Sequence, residues 1–417
     1  MNVLPRRATR LVTEALDHFR VVVVNGPRQS GKSTLADSVM LLQPGGETVT
    51  LDDREMLRGA RTDPRGFIEN RARPTVIDEI QRGGDMLVLA IKAAVDRDRR
   101  PGQFILTGSS RFLTVPNLTE SLSGRARIVD LWPFSQGELR GGSDSFLDRL
   151  LAGADPRTEL SWSPFGRLAT AEAVVRGGYP DAALMDSERM RRQWLLDYGR
   201  TLISRDLTDL SRVQRSADLP RLLSVLAAST ANELNVSALA SAFSIPQQTA
   251  RAYLALLETI YVFHQLPAWS GSATARARRR PKLHLVDSGL AAAVRGVGSN
   301  DLAHPDRGAI FGPLLETFVV AELAKQLSWS DIPMSLLHYR DSQHREVDVI
   351  VETGDGRIIG IEIKAAVDVT DHDARHLAYL RDQMGERFVH GLVLHPGDRV
   401  TSLGDRLTAA PLSMLWD

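Results

Sequence analysis

Between residues 1 and 140, short apolar and β-branched runs at 21–24, 48–51, 75–78, 104–107 and 126–131 alternate with stretches of helical periodicity. Strands separated by helix-length segments predict βαβ units and a parallel sheet, an α/β fold. From 141 to 285 the period turns mostly helical, after a loose stretch holding Gly141, Gly142 and Gly153. From 286 to 417 it becomes mixed, reading helix, three strands, helix, strand. These changes of period divide the chain into three expected domains, 1–140, 141–285 and 286–417. A length of 417 residues agrees with that division, since one domain takes roughly 150. No repeat of solenoid period and no low-complexity tract interrupts the pattern.

Composition removes several classes of function. With 43% hydrophobic and 24% charged residues, the chain is not a disordered one. Lys plus Arg and Asp plus Glu are 51 each, so any nucleic-acid surface must be a local patch. There are no cysteines, which excludes disulfide frameworks, thiolate zinc sites and Cys nucleophiles. The N-terminal segment carries Arg6, Arg7 and Arg10 but no apolar run, and no stretch approaches about 18 uncharged apolar residues. A cytoplasmic protein without a membrane partner is expected. Of the basic residues only Lys32, Lys92, Lys282, Lys325 and Lys364 are lysines. A lysine kept in so arginine-rich a chain points to a place where a compact charge serves better than a planar fork.

The 21–24 run leads directly into Gly26-Pro27-Arg28-Gln29-Ser30-Gly31-Lys32-Ser33, a GxxxxGKS sequence, and Thr34 opens a helical run. Backbone N–H groups in such a loop curl around phosphate oxygens, the helix N-terminus adds partial positive charge, and Lys32 reaches the β and γ phosphates of ATP. Ser33 places a hydroxyl where Mg²⁺ needs a ligand. An apolar strand ending in Asp78 and Glu79 supplies the other half: Asp78 for the ion, Glu79 to polarise the attacking water. A third strand ends in Thr107-Gly108-Ser109 and, lying between the other two, would aim Thr107 or Ser109 at the γ-phosphate.

These pieces, GPRQSGKST, VIDEIQ, ILTGSS and Ser123-Gly124-Arg125-Ala126-Arg127, resemble the AAA ATPase domain that opens a broad group of uncharacterised bacterial and archaeal ATPases. The resemblance covers about 20–140 and implies a P-loop domain of the ASCE/AAA type. It also implies that Arg125 or Arg127 acts as an arginine finger for a neighbouring subunit of a homo-oligomer. A solvated arginine remains the open alternative for both. Arg176-Gly177-Gly178-Tyr179-Pro180-Asp181 and Ile203-Ser204-Arg205-Asp206-Leu207 resemble signatures of the region that follows this domain; neither has a chemical role readable from its residues.

Within the middle region, Val236, Leu239, Ala240 and Phe243 share one face of a short helix. Ser244-Ile245-Pro246-Gln247 reads as a capping box opening a second helix to Thr259. Strands at 261–266 and 282–286 follow, separated by Gly271 and the run Arg276, Arg278, Arg279, Arg280. Helix, turn, helix, strand, basic loop, strand predicts a winged helix. Gln247, Gln248 and Arg251 would then meet bases or phosphates from the second helix, with the arginine run tracking DNA backbone. RNA stays open as the partner, as does a protein-docking role.

Towards the C-terminus, 345–351 and 358–364 both alternate, joined by Gly354-Asp355-Gly356 as a hairpin turn. A period of two puts Val347, Val349, Val351, Ile359, Ile361 and Ile363 on one apolar face and Asp348, Glu362 and Lys364 on the other. An amphipathic hairpin with one wet side would alternate in the same way. Glu316, early in a helix at about 312–326, has no charge partner three or four residues away and needs one from elsewhere. The element order, with Glu316, Asp348 and Glu362-x-Lys364, resembles the PD-(D/E)xK, restriction-endonuclease-like superfamily over about 300–395, with Val347-Asp348 in place of Pro-Asp. That resemblance implies Mg²⁺, or Mn²⁺, held by Asp348 and Glu362 with help from Glu316, while Lys364 orients a metal-bound water. The expected protein is a Mg²⁺-dependent ATPase, a hydrolase, coupled to DNA binding and metal-dependent cleavage. The alternative is an ATP-switched DNA-binding or regulatory protein whose nuclease-like domain does not cut.

Overall fold

The Val21-Val22-Val23-Val24 run is apolar at every position because both of its faces are covered. In the computed structural model, which describes residues 4–43, 45–108, 122–203, 219–270, 276 and 279–417, it forms β1 (Val21–Asn25). The sheet order is β2-β3-β4-β1-β5, with β2 Glu47–Thr50, β3 Thr75–Asp78, β4 Phe104–Gly108 and β5 Ala126–Asp130. Every pair is parallel, as the alternation predicts. Val22 and Val24 pack against Val12 and Leu16 of α1 (Ala8–His18) and Leu35 and Val39 of α2 (Lys32–Met40). Val21 and Val23 point the other way, towards Leu87, Ile91 and Val95 of α3 (Asp85–Arg97). A parallel sheet clad on both faces leaves its strands no polar side to show. This first compact unit comprises 1–133 with 259–261.

The second unit, 134–258 with 262–417, joins the middle and C-terminal stretches that the changes of period separate. Its middle part runs α4 (Leu219–Ala228), β6 (Asn232–Glu233), α5 (Val236–Ala242), α6 (Gln247–Thr259), β7 (Phe263–Leu266) and β8 (Lys282–Leu285), with strand order β6-β8-β7. That is winged-helix topology. Leu239, Ala240 and Phe243 are buried on the expected face of α5. The Ser244 cap is not formed. Ser244 takes φ +52° in the turn, whereas an N-cap needs extended backbone, and α6 starts later, at Gln247.

The C-terminal part is a six-stranded mixed sheet of order β13-β14-β12-β11-β10-β9. Its strands are β9 (Met334–Arg340), β10 (Glu346–Thr353), β11 (Ile358–Ile363), β12 (Phe388–His395), β13 (Thr401–Gly404) and β14 (Leu407–Pro411). Helix α7 (Gly308–Trp329) precedes it, and α8 (Arg375–Met384) packs on Val347, Ile350 and Ile358 through Leu377 and Leu380. The expected wet face is therefore wrong in detail. A register shift between Val347 and Ile350 turns Ile350 onto the face of Val347, and Val349 and Val351 are also fully buried. A bulge breaks strict alternation in this way. Among the described residues, no helix is long and apolar enough to cross a membrane.

Candidate functional site

In the loop between β1 and α2, Gly26 has φ +156° and Gly31 φ +93°. A Cβ on Gly26 would lie 2.2 Å from the Leu131 carbonyl oxygen, so no other residue fits that turn. Lys32 is buried, and its ammonium donates to the carbonyls of Gly26 (3.0 Å) and Pro27 (2.7 Å). From the N-terminal segment, Arg6 donates to the Ser30 carbonyl at 2.7 Å. Ser30 Oγ and Asn25 Oδ1 are buried without a hydrogen-bond partner. Arg28, Gln29 and Thr34 complete the loop and the first turn of α2, with Gln29 at φ +59°.

Strand β4 lies between β1 and β3, as expected, and brings Thr107 to the acidic strand end. Asp78 accepts from Ser33 Oγ at 3.1 Å to each oxygen and from Thr107 Oγ1. Two hydroxyls therefore converge on the carboxylate expected to share an ion. Glu79 stands at φ +56°, a left-handed conformation that costs a glutamate of order 1 kcal/mol and recurs where function demands it. Its N–H donates to Thr107 Oγ1 at 3.4 Å, and Gln81 donates to its carboxylate. Ser109 lies outside the described residues. Arg125 grips Asp96 with two bonds of 2.6 and 2.9 Å, which lowers the Asp96 pKa. Arg127 is exposed on the edge strand β5.

On the winged helix, Gln247, Gln248 and Arg251 are exposed at the start of α6. The arginine run behaves otherwise. Arg276 forms a two-bond ion pair with Glu352 (2.5 and 2.7 Å), and Trp269 Nε1 donates to the same carboxylate at 3.0 Å. Although burial works to raise the Glu352 carboxyl, these partners hold it below its ordinary pKa. Arg279 is exposed but donates to the Arg340 carbonyl at 2.5 Å, Arg280 is exposed, and Arg278 lies outside the described residues. Arg276 is thus tied to Glu352 of β10 and Arg279 to the last residue of β9, and the guanidinium bonded to a carboxylate is the more tightly held of the two.

The C-terminal carboxylates do converge, about an ammonium. Lys282 of β8, 3% exposed, lies 2.8 Å from Glu316 Oε1, 2.8 Å from Glu346 Oε1 and 3.4 Å from Asp348 Oδ1. The other Asp348 oxygen accepts from the Ile363 N–H at 2.9 Å. Glu362 pairs with Lys364 at 2.8 Å, while its Oε2 is buried without a hydrogen-bond partner. Burial, then the neighbouring Asp348 charge, pushes the Glu362 carboxyl up to about 8, and the same causes raise Glu316 well above its usual range. Burial disfavours the Lys282 ammonium, yet Asp348, Glu316 and Glu346 together raise its pKa. Among the described residues, no group of three or more His, Asp or Glu side chains is arranged to hold a metal ion. The expected Mg²⁺ or Mn²⁺ ligands Glu316, Asp348 and Glu362 therefore do not fit that ion here, because Lys282 already neutralises two of them.

Residues 18–140 match the family described as an AAA domain. The first unit carries an AAA-type P-loop ATPase domain. Residues 168–301 and 311–415 match two domains of unknown function, DUF8612 and DUF4143. The chain is 29% identical over 416 residues to the uncharacterised proteins Rv2008c of Mycobacterium tuberculosis and Mb2031c of Mycobacterium bovis, covering 100% of this chain and 85% of each relative. It is also similar to the solved Walker-type ATPase of Pyrococcus abyssi, with 17% identity and a TM-score of 0.43, covering 70% of this chain and 96% of that one. An ATPase of the AAA type uses ATP, typically with Mg²⁺, and the Ser33 hydroxyl beside the Asp78 carboxylate fits such an ion.

Two features of the second unit escape a reading by motif. Lys282 and Glu346 belong to the carboxylate cluster, and the signals for Lys282 were its rarity as a lysine and the missing partner of Glu316. The Gly177-Gly178 segment has a structural role: the Gly178 N–H donates to Asp287 Oδ2 at 2.7 Å, and a Cβ on Gly177 (φ +66°) would lie 2.3 Å from Asp287 Oδ1. Asp287 also accepts from the Leu290 N–H at 2.8 Å, which caps the helix Ser288–Val294.

Proposed function

We propose that this chain is a Mg²⁺-dependent ATPase that switches nucleic-acid binding, with a C-terminal nuclease-like domain that binds without cutting. The observation that carries the second half is Lys282 among Glu316, Glu346 and Asp348. A metal-dependent nuclease needs its carboxylates available to an ion that activates water, and here a protein ammonium is bonded to them. In the first unit, Mg²⁺ held by Ser33 and Asp78 would offset phosphate charge. Lys32 exchanges loop carbonyls for phosphate oxygens, Thr107 orients Asp78, and Glu79 accepts the proton of the attacking water. Arg127, exposed where Arg125 is engaged, completes the site of a neighbouring copy in a homo-oligomer.

Gln247, Gln248 and Arg251 support duplex DNA as the partner, since polar side chains exposed at the start of a second helix are what a winged helix inserts into a groove. Fluorescence anisotropy of a labelled duplex, with ATP, with ADP and with neither, tests the switch. Affinity should change with nucleotide in the unchanged protein and not in Lys32→Ala. No binding in any nucleotide state would overturn the nucleic-acid reading. Cleavage of duplex, single-stranded or branched DNA with Mg²⁺ or Mn²⁺, lost in Asp348→Ala, would overturn the non-cutting one and restore the nuclease.

A further inference from the structure

The N-terminal segment reaches the phosphate loop through Arg6, a residue outside the loop sequence itself. Its half-buried guanidinium joins two carbonyls that lie far apart in the chain. Nη1 donates to Ser30 at 2.7 Å and Nη2 to Trp132 at 2.5 Å. The Trp132 end is anchored in turn. The Leu131 N–H donates to the Asn25 carbonyl at 2.7 Å, and the Leu131 carbonyl is the wall that leaves Gly26 no room for a side chain. One planar fork therefore ties the middle of the loop to the segment that leaves β5, a task that suits arginine and not lysine.

The consequence of this grip follows from the peptide bond. A trans peptide is planar, and its carbonyl and N–H point in opposite directions. The N–H that shares a peptide with the Ser30 carbonyl belongs to Gly31. While Arg6 holds that carbonyl on one side, the Gly31 N–H is turned to the other. The loop has little stiffness of its own to fix this choice, because Gly31 stands at φ +93°, a conformation a glycine enters and leaves at small cost. Successive N–H groups form a concavity for an anion only while all of them face inward. Lys32 does not supply the hold, since its ammonium bonds the Gly26 and Pro27 carbonyls instead. We infer that Arg6 is a positioning residue for nucleotide: it fixes the Ser30–Gly31 peptide so that the Gly31 N–H faces the phosphates, and it acts on ATP through the loop without touching it. The inference rests on the ATPase reading of the first unit, and the two can fail separately.

Binding of a fluorescent ATP analogue and steady-state ATP turnover are measured for the full-length protein, Arg6→Ala, Arg6→Lys and Arg10→Gln. Arg10, paired with Glu14 on the exposed side of α1, controls for the loss of an N-terminal charge. Arg6→Ala should bind about tenfold more weakly, as the loss of charged hydrogen bonds implies. Its KM for ATP should rise by the same factor, with kcat at saturating ATP within about twofold of the unchanged protein. Arg6→Lys, a single donor group in place of a fork, should fall between the two, and Arg10→Gln should match the unchanged protein. A residue that only supported the fold would not divide KM from kcat in this way. Equal affinity in folded Arg6→Ala, or a fall in kcat as large as the rise in KM, would overturn the inference. Should circular dichroism show Arg6→Ala to be unfolded, Arg6→Lys decides, and unchanged affinity there would overturn it equally. No ATP binding by the unchanged protein would remove the ATPase reading and the role of Arg6 with it.

Discussion

Lys32, Lys282 and Lys325 are 6%, 3% and 4% exposed, in a chain whose other basic residues are almost all arginine. Each encloses a small charge in a tight ring of oxygens. Lys32 has the carbonyls of its own loop, Lys282 three carboxylates, and Lys325 the Phe134 carbonyl at 2.8 Å and Glu322 at 2.6 Å. A planar guanidinium could not close any of these rings, which is the physical reason the lysines survive. Lys32→Ala should therefore abolish ATP binding, while Glu79→Gln should bind ATP and lose hydrolysis; Glu79→Gln turning over at the unchanged rate would remove Glu79 as the base. Glu362 gives a pH prediction. Its folded pKa of about 8 lies above the ordinary 4.5, so between those values the folded state holds the extra proton and stability falls as pH rises. Glu362→Gln should flatten that fall and unfold at higher temperature than the unchanged protein at pH 8.5, read by thermal denaturation from pH 5 to 9. Parallel curves for the two proteins would reject the shift. Alternation alone did not reveal this chemistry, because Lys282, Glu316, Glu346 and Asp348 come from separate stretches and only their packing joins them.

Elements with one dominant signal were legible. The all-apolar run of β1 announced a strand covered on two faces, and the glycines and Lys32 after it announced the phosphate loop. The winged helix was legible from Leu239, Ala240 and Phe243 on one face. Its wing was not, because an arginine run carries no sign of whether its partners are phosphates or carboxylates. Glu352 decided that for Arg276 from a strand far along the chain. The bulge in β10 and the strands β13 and β14 were also missed: a register shift leaves no trace in a count of alternating residues, and 401–411 is too short and too broken by Gly404 and Pro411 to read as a hairpin. The consequence is a separation of roles that can be measured. Arg276→Ala should destabilise the second unit by about 1–3 kcal/mol, the loss of charged hydrogen bonds at Glu352, and leave the salt dependence of DNA binding unchanged. Arg251→Ala should do the reverse, lowering the log–log slope by about 0.9 for one lost phosphate contact. An Arg276→Ala protein of normal stability with a flattened slope would return the wing to the DNA.

At the scale of the molecule, the family matches cover three stretches, 18–140, 168–301 and 311–415, and the packing makes two units of them. Lys282 explains the difference, since it lies in the second stretch and is neutralised by residues of the third. Separate domains would leave both sides with unpaired charge. The ATPase unit presents a charge at its surface instead. Arg125 is consumed by Asp96, and Arg127 stands exposed on β5, where a parallel edge strand presents it outward. If Arg127 completes the site of a second copy, turnover per chain should rise with protein concentration in the unchanged protein and stay low at every concentration in Arg127→Ala. ATP binding should persist in that variant, because the loop and Asp78 are untouched. Mixing supplies the sharper test. Arg127→Ala retains a complete loop but no finger, and Lys32→Ala retains the finger but cannot bind ATP, so an inactive pair should recover turnover when combined. Arg125→Ala should lose only the Asp96 pair and keep its concentration dependence. Undiminished turnover in Arg127→Ala, or no recovery on mixing, would leave each chain hydrolysing ATP alone.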